Sequence, residues 1–123
     1  MRLGIHTSIA GSLAHSAELA KELGCGTFQI FSSNPRQWRA SRIDAGEASK
    51  MTRLRERYDL YPLAIHCNYL INLGSYDPAI RERSIAGFRG ELERGLAIGA
   101  EYLVVHPGSA RSEERRVGKE CRL

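Results

Sequence analysis

The chain has 123 residues, 42% of them hydrophobic and 26% charged, with a formal net charge of +4. This is enough for one soluble globular domain with its own core, and no apolar run reaches the roughly 18 residues that span a bilayer. The opening M-R-L-G-I-H-T leads straight into patterned sequence without the apolar region of a signal peptide. Cys25, Cys67 and Cys121 form neither a CxxC pair nor an even set, which predicts a reducing, cytoplasmic setting. Leu3-Gly4-Ile5-His6 reads as a first strand ending in Thr7 and Ser8. From Gly11 to Leu23, Leu13, Ala17, Leu19, Ala20 and Leu23 recur at helical spacing, and Gly24 supplies a stop. Gly26 to Phe31 is aromatic and β-branched, predicting a second strand. A polar segment follows, and Asp44 can cap a helix running to about Arg57 with Met51, Leu54 and Tyr58 on its inner face.

Leu63-Ala64-Ile65-His66 predicts a third strand. Asp77-Pro78 is a helix entry, with aspartate at the cap and proline in the first turn. The helix beyond it presents Ile80, Ile85, Phe88, Leu92 and Leu96, and Gly99 closes it. Tyr102 to His106 is almost wholly apolar, which predicts a fourth strand buried on both faces. The order is βαβαβαβ, an α/β pattern with parallel strands and right-handed crossovers. It fits an open doubly wound sheet or part of a (β/α)8 TIM barrel. Neither GxGxxG nor GxxxxGK[ST] follows the first strand, which argues against a nucleotide-binding sheet.

The stretch R-S-E-E-R-R-V-G-K-E-C, from Arg111 to Cys121, lacks apolar periodicity. It is similar to the in-frame translation of a short-read sequencing adaptor. The expectation is therefore a barrel part over 1–110 and a disordered, non-native tail over 111–123. Five of the 18 basic and three of the 14 acidic residues lie in that tail. The remainder carries only +2, too little to indicate an anionic partner by itself.

His6, His66 and His106 each close a predicted strand. In parallel α/β folds this edge gathers ligands and catalytic groups, and imidazole is a common zinc ligand. One strand-end histidine is as a rule a hydrogen-bonded structural residue. Three at matching positions put a metal site on an equal footing. His15, inside the first predicted helix, reads as solvated surface. The loops N-P-R-Q-W and N-Y-L-I-N-L-G add an arginine and large apolar side chains. Trp38, Tyr69, Leu70 and Ile71 either cover the barrel mouth or form a wedge for a nucleic-acid base step, with arginine in support.

Together M-R-L-G-I-H-T-S-I-A-G-S-L, N-P-R-Q-W-R, H-C-N-Y-L-I-N-L-G and H-P-G-S resemble the N-terminal part of endonuclease IV, the apurinic/apyrimidinic endonuclease of the xylose isomerase-like TIM barrels. The resemblance spans about residues 1–110. It implies a (β/α)8 barrel with three zinc ions at its mouth, His66 and His106 as metal ligands, and His6 close to the centre without binding it. Arg36, Tyr69 and Leu70 fall on the positions that enter the gap at an abasic site. Such an enzyme serves base excision repair, works as a monomer on abasic double-stranded DNA, and hydrolyses the phosphodiester 5′ to the lesion to leave a 3′-hydroxyl. The family's glutamate and aspartate ligands fall beyond residue 110, so no catalytic residue is assigned and the chain is expected to be a fragment inactive alone. A sugar-phosphate isomerase or epimerase on the same barrel is the alternative. A non-enzymatic nucleic-acid-binding fragment is a second.

Overall fold

The computed structural model describes residues 1–109; the tail expected over 111–123, with Cys121, lies outside the described residues. Among the described residues four strands alternate with three helices: β1 (Gly4–His6), α1 (Leu13–Glu22), β2 (Thr27–Phe31), α2 (Ala45–Tyr58), β3 (Leu63–His66), α3 (Pro78–Ile98) and β4 (Tyr102–Val104). The strands are all parallel and lie in the sheet in sequence order, β1-β2-β3-β4. Sequential order is that of a barrel wall, whereas a doubly wound sheet reverses direction at a switch point. The choice left open by the element pattern is thus settled for the barrel.

Local chemistry starts and stops each helix. The Ser12 side chain accepts from the His15 amide at the head of α1, Asp44 accepts from Glu47 at the head of α2, and Asp77 accepts from Ala79 ahead of Pro78 in α3. Each carboxylate or hydroxyl satisfies an amide that the first helical turn leaves free. Gly99 ends α3 in the left-handed conformation, with φ of 82°, a region glycine enters without steric cost.

Side chains alternate across the sheet. Phe28, Ile30, Leu63 and Ile65 point to the helices and join Leu13, Ala17, Ala20, Met51, Leu60 and Ile98 in one core. The opposite face carries Gln29, Phe31, Ala64 and His66, all only half-buried. This is the face that lines a barrel's interior.

β4 is not buried on both faces: Tyr102 is 61% and Val104 37% exposed, because no further layer faces them among the described residues. The strand also ends at Val104 rather than His106. The inner face of α3 is likewise different. Ile85, Leu92 and Leu96 are exposed, and the buried residues are Ser84, Glu91, Gly95 and Ile98. Small residues let the helix approach the sheet closely; an added Cβ at Gly95 would stand 3.9 Å from Ile65. Ser84 and Glu91 are inside because each accepts a hydrogen bond from a backbone amide of the loop after β3, Asn72 at 2.9 Å and Asn68 at 3.1 Å. Polar partners for buried amides outweigh apolar patterning here.

α2 also carries a buried cation that apolar spacing does not reveal. Arg55 is 3% exposed. Its guanidinium donates to the carbonyls of Leu60 (3.2 Å) and Gly99 (2.9 Å) and to both Glu101 oxygens, and stacks over Tyr61. Glu101 in turn accepts from the Leu63 amide at 2.7 Å. One side chain thus ties α2, α3, β3 and the entry to β4 at the N-terminal edge of the sheet.

Burial pushes the Glu101 carboxyl up, but the Arg55 hydrogen bonds, the Leu63 amide and the guanidinium charge outweigh it and leave the pKa below its ordinary value of 4.5. A carboxylate with a folded pKa below its unfolded one stabilises the fold above the unfolded value and stops doing so as pH falls through the folded one. The Glu101 contribution to stability should therefore be level above about pH 5 and decline in more acid solution. Glu101→Gln should flatten that acid limb, as read from urea midpoints against pH.

Candidate metal centre at the strand ends

The C-terminal edge of the sheet gathers the aromatic and imidazole side chains. His66, the last residue of β3, pairs in register with Phe31 on one side and Val104 on the other. His106 stands two residues past Val104, just beyond the end of β4. The two rings meet: Nε2 of His66 lies 3.2 Å from Nε2 of His106.

The other ring nitrogen fixes the tautomer of His66. Its Nδ1–H donates to the Cys67 carbonyl at 2.7 Å, which turns Nε2 toward His106. One ring nitrogen held by a backbone carbonyl, with the other turned to the site, is the arrangement metal-binding histidines adopt. Two imidazole nitrogens bound to one zinc ion at about 2.0–2.1 Å and a tetrahedral angle stand roughly 3.3–3.4 Å apart. The observed pair fits that spacing. Among the described residues no group of three His, Cys, Asp or Glu side chains converges, so these two imidazoles alone would not complete a zinc shell.

His6 occupies a different layer. It pairs with Gln29 in register, one row below Phe31 and His66. Gln29 Nε2 donates to its Nδ1 at 2.9 Å, and its ring packs on Phe31 with centroids 4.4 Å apart. Phe31 separates it from His66, which Phe31 meets edge-on at 5.5 Å. The three histidines are therefore staggered, not at matching positions, because β1 ends one row earlier. Contact with Phe31 removes water from one side of the His6 ring. That burial, followed by the neighbouring His66, holds its pKa below the usual 6.5 and keeps the imidazole neutral. His15 is exposed, as expected for a surface position.

An open cleft of about 780 Å³ is lined by Phe31 and Tyr69, the two rings that touch His66. His6, Ser8, Phe31, Asn34, Arg36 and Tyr69 are among the residues that line it. Arg36 and Tyr69 thus share one cleft, from loops that follow different strands. The Tyr69 amide donates to the Pro35 carbonyl at 2.9 Å, joining the two loops. The Tyr69 ring is 61% exposed and touches Phe31 and His66 edge-on, at 5.3 and 5.9 Å. Leu70 is half-buried; its amide donates to Asn68 Oδ1 at 2.6 Å. Ile71 is buried and Trp38 half-buried, so these two pack as cover for the loop. Cys67 is buried, and burial, with the Glu91 charge adding and Arg94 opposing, pushes its thiol up to about 12. It remains a protonated thiol at neutral pH.

Sequence reading missed Phe31 and Gln29, which set the His6 ring, and Asn68 and Glu91, which hold the loop. A signal existed for the last: Gly87, Glu91 and Gly95 recur four residues apart, which places them on one face of a helix.

H-P-G-S has a structural reason as well. The Gly74 amide donates to the Pro107 carbonyl at 2.9 Å, so the loop after β3 docks on the loop after β4. Gly108 has φ of 98°, and a Cβ there would stand 3.0 Å from the Asn72 Cα. Gly108→Ala should cost about 1–2 kcal/mol from the left-handed conformation alone. It should also move His106 away from His66, and zinc titration should record a weaker site.

Paired imidazoles stand at the C-terminal edge of a parallel, sequentially ordered βα sheet, the arrangement of a barrel wall with a candidate metal site at its mouth. A sequence profile described as xylose isomerase-like TIM barrel matches residues 17–122, and the chain belongs to that family. It is 60% identical over 111 residues to a "Probable endonuclease 4" of Solibacter usitatus, an alignment that covers 90% of this chain and 38% of the relative. The crystal structure of endonuclease IV from Thermus thermophilus superposes with a TM-score of 0.85 at 40% identity, over 98% of this chain and 45% of that one. A D-tagatose 3-epimerase-like protein shares the fold, with a TM-score of 0.63 at 20% identity over 96% of this chain and 43% of that one. The chain thus resembles endonuclease IV and spans about two fifths of the length of the relatives it matches.

Proposed function

We propose that this chain forms part of a zinc-dependent apurinic/apyrimidinic endonuclease of DNA base excision repair, which hydrolyses the phosphodiester 5′ to an abasic site and leaves a 3′-hydroxyl. The observation that supports it is the His66–His106 pair, 3.2 Å apart, set beside a cleft that holds both Arg36 and Tyr69. A sugar pocket has need of the first feature only.

In this reading His66 and His106 hold zinc through Nε2, and the Cys67 carbonyl keeps the proton of His66 on Nδ1. Zinc, when bound, stabilises negative charge on the phosphate and lowers the pKa of a water. His6 stays off the metal, its Nδ1 taken by Gln29, and as a neutral imidazole adds no positive charge to repel it. Arg36 lies exposed in the cleft, where its planar guanidinium can pair with a backbone phosphate. Tyr69 and Leu70 enter the gap left by the missing base. An abasic nucleotide has no base to unstack, which lowers the cost of opening the duplex there.

Two histidines leave most of a three-zinc shell unsupplied, so the 123-residue chain does not incise DNA by itself. The partner is double-stranded DNA containing abasic sites, and the complete enzyme is a monomer. Cys25 and Cys67 are both free, which suits a reducing cytoplasm. No helix of the described residues is long and apolar enough to cross a membrane.

The test is a chimera in which residues 1–109 replace the matching stretch of the Thermus thermophilus enzyme. Incision of a duplex 5′ to an abasic site, abolished by chelation and restored by zinc, is the expected result. Epimerisation of sugars without incision would replace this reading with the isomerase alternative.

A further inference from the structure

Beneath the loop that carries Tyr69 and Leu70 lies a buried carboxylate that neither the metal pair nor the DNA cleft uses. Glu91, 1% exposed, projects from α3 toward the C-terminal edge of the sheet. Its Oε2 accepts from the Ser32 hydroxyl at 2.6 Å, and its Oε1 accepts from the Asn68 amide at 3.1 Å. Ser32 is the residue after β2, and Asn68 is the second residue after β3. Arg94, one turn along the helix, completes the lock: Nη2 stands 3.3 Å from Glu91 Oε1, and Nε donates to the Ser32 oxygen at 2.9 Å.

From Asn68 the constraint passes outward. Its side-chain nitrogen donates to the Gln37 carbonyl, and its Oδ1 accepts from the Leu70 amide. The Tyr69 amide between them is held by Pro35. Each amide from 68 to 70 therefore has a fixed partner, and the first of them is Glu91. Ser84, also buried on α3, accepts from the Asn72 amide and secures the far end of the loop.

A role in stability alone accounts poorly for this network. Replacing a buried ion pair by well-packed apolar residues of similar volume is often neutral or stabilising. Such a replacement would leave the Asn68 amide without an acceptor. The carboxylate does what a leucine cannot: it binds two strand ends to each other and to the helix at the level where the loops begin.

We propose that Glu91, locked by Arg94 and Ser32, is a positioning residue that fixes the Asn68–Leu70 segment, and with it Tyr69 and Leu70, beside the His66–His106 pair. Its link to DNA rests on the function proposed above; its link to the loop does not.

Amide hydrogen exchange of the 123-residue chain tests it, with Glu91→Gln and Ser32→Ala as variants. Glu91→Gln should speed exchange at Asn68, Tyr69 and Leu70 by more than about tenfold relative to the change at Leu63 and Glu101, whose amides bond across the opposite edge of the sheet. Hydrogen bonds to charged groups are worth enough for a change of that size. Ser32→Ala should give the same pattern at smaller amplitude. Equal acceleration at both edges, no acceleration at 68–70, or failure of both variants to fold would assign Glu91 to the core and overturn the proposal. In the chimera, Glu91→Gln should raise KM for abasic duplex more than it lowers kcat. If the exchange pattern holds while the parent chimera leaves abasic DNA intact, the DNA reading fails and the positioning role stands.

Discussion

Replacing His66 by alanine in the chimera should reduce incision at an abasic site by more than about 100-fold, since loss of a mere supporting partner of a metal ligand already costs 10–100-fold. His66 contributes one of two nitrogens that stand at zinc spacing. Alanine removes that donor and also the Nδ1–H that holds the ring to the Cys67 carbonyl. His106→Ala should cause a loss of the same order, because in the proposed site the two imidazoles hold one ion. The fold should survive both changes: His66 is half-buried, His106 is exposed, and neither belongs to the core. Steady-state incision rates beside urea midpoints separate loss of metal from loss of fold. His6→Ala should be milder, because its Nδ1 is engaged by Gln29 and the proposed site does not use it as a ligand.

The opposite edge of the sheet should respond in stability instead. Arg55→Ala should destabilise the chain by about 3–5 kcal/mol, the usual effect of removing one partner of a buried ion pair. The variant leaves the Leu60 and Gly99 carbonyls without donors and Glu101 without its cation. Against a total stability of roughly 5–15 kcal/mol for an ordinary domain, that is enough to populate the unfolded chain. Urea unfolding should show the midpoint falling at unchanged slope. Arg55→Lys should fall between, since it keeps the charge and loses the planar fork that reaches two carbonyls and a carboxylate together. A loss below about 1 kcal/mol for Arg55→Ala would mean that water satisfies those carbonyls.

The strands, helix caps and chain order were legible because each rests on short-range chemistry. Asp44, Asp77 with Pro78, Gly24 and Gly99 mark turns that the backbone needs wherever the helix later packs. What the helices face was less legible. Ile85, Leu92 and Leu96 are the apolar choice for the inner side of α3, yet Ser84 and Glu91 take it. The demand they meet, at the Asn72 and Asn68 amides, arises only once the loop after β3 is folded over the helix. Arg55 is hidden for the same reason: its partners lie five, 44 and 46 residues away. The histidines of the site could be picked out by their place after apolar runs. Their stagger could not, because it follows from sheet register, which sets His6 against Gln29 and His66 against Val104.

The most direct test of the metal pair is zinc titration of the 123-residue chain, followed by the ring-nitrogen resonances of its four histidines. The account predicts that His66 and His106 move together and saturate at one equivalent, His66 binding through Nε2 with Nδ1 still protonated, while His6 shifts little and His15 not at all. Independent responses from His66 and His106, or zinc-induced shifts spread equally over all four imidazoles, would contradict it.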